Sequence, residues 1–421
     1  MTVAVIAALG CATPAHAVHV VRIASFPTSQ LAVESARLNG DTIDDLAVAS
    51  NCVVTALAGH GDGTYSPSAS VTLAPCGGDR RAWLATGDVD GDGKQDVVVS
   101  VQQAQVWVLS GRGDGTFAPA VSYPTATGLP AYGVTVGDLN GDRRDDVAFV
   151  EDTLSLSSPS DIGVLVAQAG GGFAPAARYA ADFRKATDLT TGHFDNDPFL
   201  DVAVGGEHCT GGCVNSVISF PGNGDGTFGQ PHFAPTNLIP TGLLAAPLRG
   251  LARDDIAVTG NRVQSVLTDA EGALTPLAEH RDITGGRGDT GDLDGDGAPD
   301  LALAEPSLTA RISLFLGDGA GDFDVEADLG FPSPSNFYDT QIVDADRDGW
   351  PDVVAAGAGE VDLIRNAPVA GLDPEALDFG TVPVGARSGP RTVTVYNGGV
   401  RPVQLAAARV DGPFAIASDG C

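Results

Sequence analysis

Asp88-Val89-Asp90-Gly91-Asp92-Gly93-Lys94-Gln95-Asp96, running straight into Val97-Val98-Val99, is the stretch from which the fold is read. Carboxylates stand at positions one, three, five and nine of a short loop, with glycine at six. A calcium ion takes roughly six to eight oxygens at about 2.3–2.6 Å, and this spacing supplies most of them. The ligands would be the side chains of Asp88, Asp90, Asp92 and Asp96 and the Lys94 carbonyl. Gly93 permits the turn that points them inward. An EF-hand needs an acid at position twelve and an exiting helix; here Val99 stands at that position, inside an apolar run. The loop is therefore expected between two β-strands.

The loop recurs. Asp138, Asn140, Asp142 and Asp146 form a second copy, with the Arg144 carbonyl in the place of Lys94. Asp292, Asp294, Asp296 and Asp300, with Ala298, form a third, and Asp344, Asp346, Asp348 and Asp352, with Trp350, a fourth. Weaker copies close on Asp45, Asp201 and Asp255. Closing aspartates thus recur every 45 to 55 residues from Asp45 to Asp352, a period that marks stacked or radial repeats. The second, sixth and seventh units keep every aspartate and glycine at position six (Gly93, Gly297, Gly349), so three calcium sites are expected there. The third, with Asn140 and with Arg143 for that glycine, is expected to bind more weakly as a fourth. The fourth unit offers His193, Asp195, Asp197 and Asp201, a poor set because histidine suits calcium badly. The first unit, with Arg37 and Asn39, and the fifth, with Arg249 and Leu251, are expected to be metal-free.

Around each loop the pattern repeats. In the second unit Trp83–Thr86 lead in, Asp96–Val101 and Val106–Leu109 read as strands, and a Gly-Arg-Gly-Asp-Gly-Thr-Phe turn at 111–117 precedes a fourth strand, Ala120–Tyr123. The turn returns at 59–65, 222–228 and, loosely, 317–323, and its Asp-Gly is a strong hairpin signal. Four antiparallel strands in each of seven units predict an all-β, seven-bladed propeller. The seventh unit lacks a fourth strand, and Val18–Phe26 is a strand without a unit; pairing them would close the ring and hide two edges.

The 421 residues carry a net charge of −31, and lysine occurs only at Lys94 and Lys185. That balance argues against nucleic acid as a partner, which requires basic patches. Residues 1–17, with an apolar run Val3–Leu9 and Ala15-His16-Ala17, are expected to be a signal peptide, although no basic residue precedes the run. No later stretch is apolar for long enough to span a bilayer as a helix. Export permits disulfides, and the expected pairs are Cys52–Cys76 and Cys209–Cys213.

The Asp-x-Asp-x-Asp-Gly-x-x-Asp loops and Gly-Asp-Gly-Thr-Phe turns resemble the FG-GAP/VCBS repeats of integrin α-chain propellers and of secreted bacterial proteins, over residues 18–367. The resemblance implies a calcium-stabilised propeller in adhesion, carbohydrate binding or scaffolding. Beyond Ala367, Leu377-Asp378-Phe379-Gly380 and Thr392–Asn397 resemble the start of an immunoglobulin-like ASH or choice-of-anchor D module. Residues 368–421 number only 54 where such a sandwich needs about 100, so an incomplete module is expected.

The functional expectation is a secreted or cell-surface monomer that binds an extracellular glycan or protein through loops on the face opposite the calcium loops. Long loops at 151–161 and 205–215 place Tyr132, Ser155, Ser160 and His208 as candidate ligand contacts. Nucleophile elbows and His-Glu-x-x-His motifs are absent, so no catalytic residue is assigned. A glycan lyase or hydrolase using a carboxylate pair in the central funnel, or a spacer without ligand, are the alternatives. Arg-Gly-Asp occurs at 112–114 and 287–289, both times inside the glycine/aspartate repeat grammar, and is not read as an adhesion motif.

Overall fold

The computed structural model describes residues 4–11, 19–26, 31–76, 81–152, 159–209, 212–280, 283, 285–306, 311–330 and 336–366; beyond them it describes 370–373, 379, 381, 388–389, 391–397 and 414–416. Two compact units are distinguished, Val21–Leu363 and the combination of Met1–Val20 with Ile364–Cys421.

The first unit is a β-propeller, with no helix among the described residues. Leu31–Ala36, Asp45–Ser50, Val53–Gly59 and Tyr65–Thr72 form one antiparallel four-stranded sheet. Trp83–Gly87, Asp96–Ser100, Gln105–Leu109 and Val121–Pro124 form the next. Gly242–Ala246 to Leu274–Glu279 and Gly288–Gly291 to Phe323–Gly330 repeat the arrangement. In the last sheet Phe337–Val343, Asp352–Gly357 and Glu360–Arg365 are completed by His19–Ser25 from the other end of the chain. Phe26 N donates to Gly359 O at 2.7 Å, and Arg22 pairs with Asp362 at 3.2 Å.

Seven separate four-stranded sheets were expected; five are found. The third and fourth sequence units share one seven-stranded sheet, running from Ala131–Gly137 to His232–Pro235. They are joined through a single 16-residue strand, Ala177–Gly192. Its first residues pair with Asp161–Val164 and its last with Asp201–Val204. The other links between units carry Gly or Pro, as in Pro124–Pro130, Pro235–Gly242 and Gly330–Pro334, whereas 177–191 contains neither. With no residue to break the extended backbone, the strand runs from one unit into the next.

The first strand of each unit touches the first strand of the following one, and Phe337–Val343 touches Leu31–Ala36, so the series returns to its start. Side chains reinforce these steps. Val33 N donates to Asp339 Oδ2 at 3.2 Å, Ile342 N to Asp289 Oδ2 at 2.9 Å and Leu243 N to Asp188 Oδ2 at 3.3 Å. Second strands such as Asp45–Ser50, Asp146–Glu151 and Asp352–Gly357 are buried along their whole length, because neighbouring sheets cover both faces. That is why Val97-Val98-Val99 reads as an unbroken apolar run, while the outer strand Val121–Pro124 is largely exposed.

The glycine turns lock neighbours together. Gly63 N donates to Ala345 O, Gly115 N to Leu38 O and Gly226 N to Leu139 O, each at 3.0 Å, so the turn of one unit docks on the aspartate loop of the unit before it. The aromatic after the turn fills the same seam: Phe173 meets Tyr123, and Phe228 meets Tyr179, edge-on at 4.9 Å.

In the other compact unit Ala370–Asp373, Arg391–Asn397, Ala4–Cys11 and Phe414–Ile416 form one sheet in that order, Ala4–Cys11 lying parallel to both neighbours. The expected leader thus contributes a strand to this sheet, and a single sheet does not make the two packed layers of an immunoglobulin-like sandwich. Leu377, Asp378 and Cys421, which carried part of that expectation, lie outside the described residues.

Candidate metal centres and the central cavity

Each closing aspartate is the first residue of a second strand and is at most 1 % exposed, in all seven units. It holds the loop by accepting main-chain hydrogen bonds. Asp96 accepts from Val89 N at 3.0 Å and Gly111 N at 2.8 Å, Asp300 from Leu293 N at 2.6 Å and Gly317 N at 2.8 Å, and Asp45 from Leu38 N and Gly59 N at 2.9 Å. The clamp explains why this aspartate is present even in units whose other ligands are lost, a role that reading it only as a metal ligand had missed. Burial pushes the Asp96 carboxyl up to about 7, with Asp90 and Asp88 adding to the rise and the Gly111 and Val89 amides opposing it. Asp300 is likewise pushed up to about 7 and Asp201 to about 6, burial being the largest cause.

The position-one aspartate gathers the loop around itself. Asp88 accepts from Gly91 N, Asp92 N and Gly93 N at 2.8–3.0 Å, and Asp292 from Gly295 N, Asp296 N and Gly297 N at 2.6–3.1 Å. Positions four and six are left-handed, as at Gly91 (φ 77°) and Gly93 (φ 82°), so glycine is favoured at both. In the second unit Asp88, Asp90 and Asp96 bring carboxylate oxygens within 4.8 Å of one another, as do Asp292, Asp294 and Asp300 in the sixth and Asp344, Asp346 and Asp348 in the seventh. These are the three units expected to be the best, and each cluster could hold a metal ion. Asp344 Oδ1 is buried without a hydrogen-bond partner, an acceptor that a cation would satisfy.

The remaining units differ by what replaces the ligands. In the third, Arg144 pairs with Asp142, and Arg143 is held at φ 67°; Asp138, Asp142 and Asp146 form no such cluster among the described residues. In the fourth, Asp195, Asp197 and Asp201 do cluster, but the His193 ring meets the Phe199 carbonyl, the position-seven ligand, at 2.9 Å. In the first, the Asn39 amide donates to Asp45 Oδ1 at 3.1 Å. In the fifth, Arg249 grips Asp255 through Nε at 2.9 Å and Nη2 at 2.7 Å, so a guanidinium supplies the positive charge. Glu207, Cys209 and Cys213 also lie close together, but both cysteines are in a disulfide and offer no thiolate.

Both expected disulfides are present, Cys52–Cys76 and Cys209–Cys213. The second clips a hairpin: Asp201–Cys209 and Cys213–Phe220 extend as paired strands into the stretch expected to be a loop. Three of the four candidate ligand contacts are corrected in their setting. Tyr132 is buried, its ring edge-on to Trp83 at 5.6 Å, since it lies on a first strand rather than a surface loop. Ser160 is 1 % exposed and donates to Asp152. His208 is half-buried beside Phe233 at 4.7 Å, on the clipped hairpin. Ser155 lies outside the described residues.

A cavity of about 200 Å³ opens where the first strands converge, walled by residues of every sequence unit, among them Glu34, Trp83, Thr135, Asp188, Gly242 and Asp339. Arg287 and Asp289 of the second Arg-Gly-Asp also line it, so that tripeptide is internal. The first ends in an exposed turn, where Asp114 accepts from Thr116 N at 3.0 Å. No single residue announces this cavity; its wall is assembled from positions about one repeat apart.

FG-GAP-like repeats match the chain at residues 37–99, 88–149 and 292–355. No curated protein matches it in sequence. Among solved structures it is similar to BBS1N, crystallised in complex with ARL6DN and soaked with lead, at 11 % identity and a TM-score of 0.54, covering 82 % of this chain and 96 % of that one. It is also similar to the Dos1 propeller, at 10 % identity and a TM-score of 0.50, covering 80 % and 77 %. At these identities the likeness concerns the fold alone.

Proposed function

We propose that the chain is a calcium-binding, seven-bladed propeller of exported type that presents a binding surface to an extracellular glycan or protein. The single observation that carries the calcium reading is a three-carboxylate cluster in the aspartate loops of the second, fourth, sixth and seventh units, drawn from positions one, three and nine in the second and sixth. Oxygen-only ligands on a flexible loop suit calcium better than a transition metal. The ion would fasten the rim, and no chemistry is assigned to it. The seven-fold reading counts the seven-stranded sheet as two blade positions, supported by the seven first strands that touch in sequence and return to the start. Two disulfides support export. Among the described residues no helix is long and apolar enough to cross a membrane.

A glycan array probed in calcium and again in chelator tests the function. Binding that needs calcium and releases no product supports the binding module. Product release would replace it with a glycan-active enzyme, and silence in both conditions with a spacer.

A further inference from the structure

Neighbouring rim loops touch in a way that their own ligand sets do not require. Trp350 belongs to the seventh loop through its main chain: its N–H donates to Asp348 Oδ1 at 2.9 Å, and its carbonyl stands at position seven of the ligand pattern. Its side chain serves the sixth loop. A Cβ built on Gly295 would stand 2.8 Å from Trp350 Cη2 and Cζ3, so the indole lies directly against the Gly295 main chain. Gly295 makes the turn of that loop at φ 77°, and its N–H donates at 2.6 Å to Asp292 Oδ1, the position-one aspartate. The second and third units repeat the arrangement. A Cβ on Gly91 would stand 2.9 Å from Arg144 Cγ, and the Gly91 N–H donates to Asp88 Oδ1 at 2.8 Å. In both pairs the position-seven side chain of one loop rests on the position-four glycine of the loop before it.

The contact matters most between the sixth and seventh units, because both carry a three-carboxylate cluster. An ion in the seventh loop would draw the Trp350 carbonyl inward and fix that residue's main chain, and with it the indole on Gly295. An ion in the sixth loop would fix Asp292 and the Gly295 turn, the surface on which the indole rests. Each ion thus orders one side of a shared contact, so the second to bind loses less conformational freedom. Mutual repulsion of the ions opposes this and is weakened by salt, so the coupling is best read at physiological ionic strength.

We propose that the sixth and seventh metal sites bind cooperatively, coupled through the Trp350 indole on Gly295. The proposal rests on the calcium reading above and adds to it the dependence of one loop on another. Hydrogen-exchange mass spectrometry of the full chain across a calcium titration tests it, with peptides covering 88–96, 292–300 and 344–352 read separately. Asp344→Asn alters a seventh-loop ligand and should raise the calcium midpoint of the sixth loop about fivefold, the low end of the usual range because a single contact carries the coupling. Reciprocity requires Asp292→Asn to raise the seventh-loop midpoint by the same factor. Trp350→Ala keeps every ligand atom, because that residue contributes its main-chain carbonyl; in its background Asp344→Asn should no longer move the sixth-loop midpoint. Trp350→Phe keeps a smaller ring and should retain part of the shift. The second loop serves as the reference and should keep its midpoint throughout, which separates coupling from a general loosening of the fold. The proposal alone is overturned if calcium protects the loops but Asp344→Asn moves the sixth-loop midpoint by less than about twofold, moves it as far without the indole, or moves the second loop equally. If calcium protects none of the loops, the calcium reading falls and takes this proposal with it.

Discussion

Arg249→Ala probes how a unit that holds a guanidinium in place of a metal keeps its loop closed. Arg249 meets both oxygens of Asp255 and also donates to Thr268 O at 2.6 Å. The Asp255 side chain is 0 % exposed and the Arg249 side chain 21 %. Removing one member of a buried pair costs roughly 3–5 kcal/mol, because the other charge is left without compensation. Thr268 N still donates to Asp255 at 2.9 Å, and water reaches the arginine side, so the loss should fall near the lower end, about 3 kcal/mol. Arg249→Lys keeps the charge but not the fork, and should lose about half as much. Adding Asp255→Asn to Arg249→Ala removes the stranded charge and should recover part of the loss. Urea unfolding followed by tryptophan fluorescence, in calcium and in chelator, reads all three. The losses should be equal in the two conditions, because the fifth unit is proposed to hold no metal. A loss below about 1 kcal/mol, the size of an exposed pair, would refute the reasoning; so would a loss that disappears in chelator.

Further outcomes follow from the same structure. Arg143 stands at φ 67° where the other strong loops carry glycine, so Arg143→Gly should gain about 1 kcal/mol and tighten calcium binding by the third loop, read by thermal melting and calcium titration. Arg347, at φ 62°, donates to Thr42 Oγ1 at 3.0 Å, so Arg347→Gly should gain less. Burial pushes Asp188 from the ordinary 3.8 up to about 6, with Arg287 and Arg81 opposing. An acid whose folded value is raised favours the folded state below about pH 4 and loses that stability as pH rises through 6, by about 3 kcal/mol. Asp188→Asn should therefore flatten the decline in urea midpoint between pH 4 and 7. The Cys52–Cys76 bridge spans 24 residues and Cys209–Cys213 only 4, so paired alanine replacements should cost about 3 and about 2 kcal/mol respectively, measured by denaturation.

What the sequence revealed followed from local, repeated chemistry. Aspartates about 50 residues apart marked the start of each second strand, and glycine turns marked the hairpins, because both need particular residues at fixed places. Val18–Phe26 could be matched to the unfinished seventh unit because an edge strand seeks a partner. The fused sheet was less visible, since it depends on the absence of a breaker in 177–191. Arg249, His193 and Asn39 were read as missing ligands; their substitute bonds to Asp255, Phe199 and Asp45 depend on side-chain reach that spacing does not give. Tyr132 and Ser160 stand at the ends of strands in the third unit, Ala131–Gly137 and Ser160–Leu165, a placement that loop length alone does not give. The cavity around Arg287 was hidden for a different reason: its wall draws single residues from separate units.

The most direct test of the central claim is the calcium content of the purified chain after dialysis against trace calcium, counted by mass spectrometry. Three tightly held equivalents are predicted, falling to two in each of Asp88→Asn, Asp292→Asn and Asp344→Asn. A chain that retains no calcium, or one whose calcium content is unchanged by all three substitutions, would contradict the account.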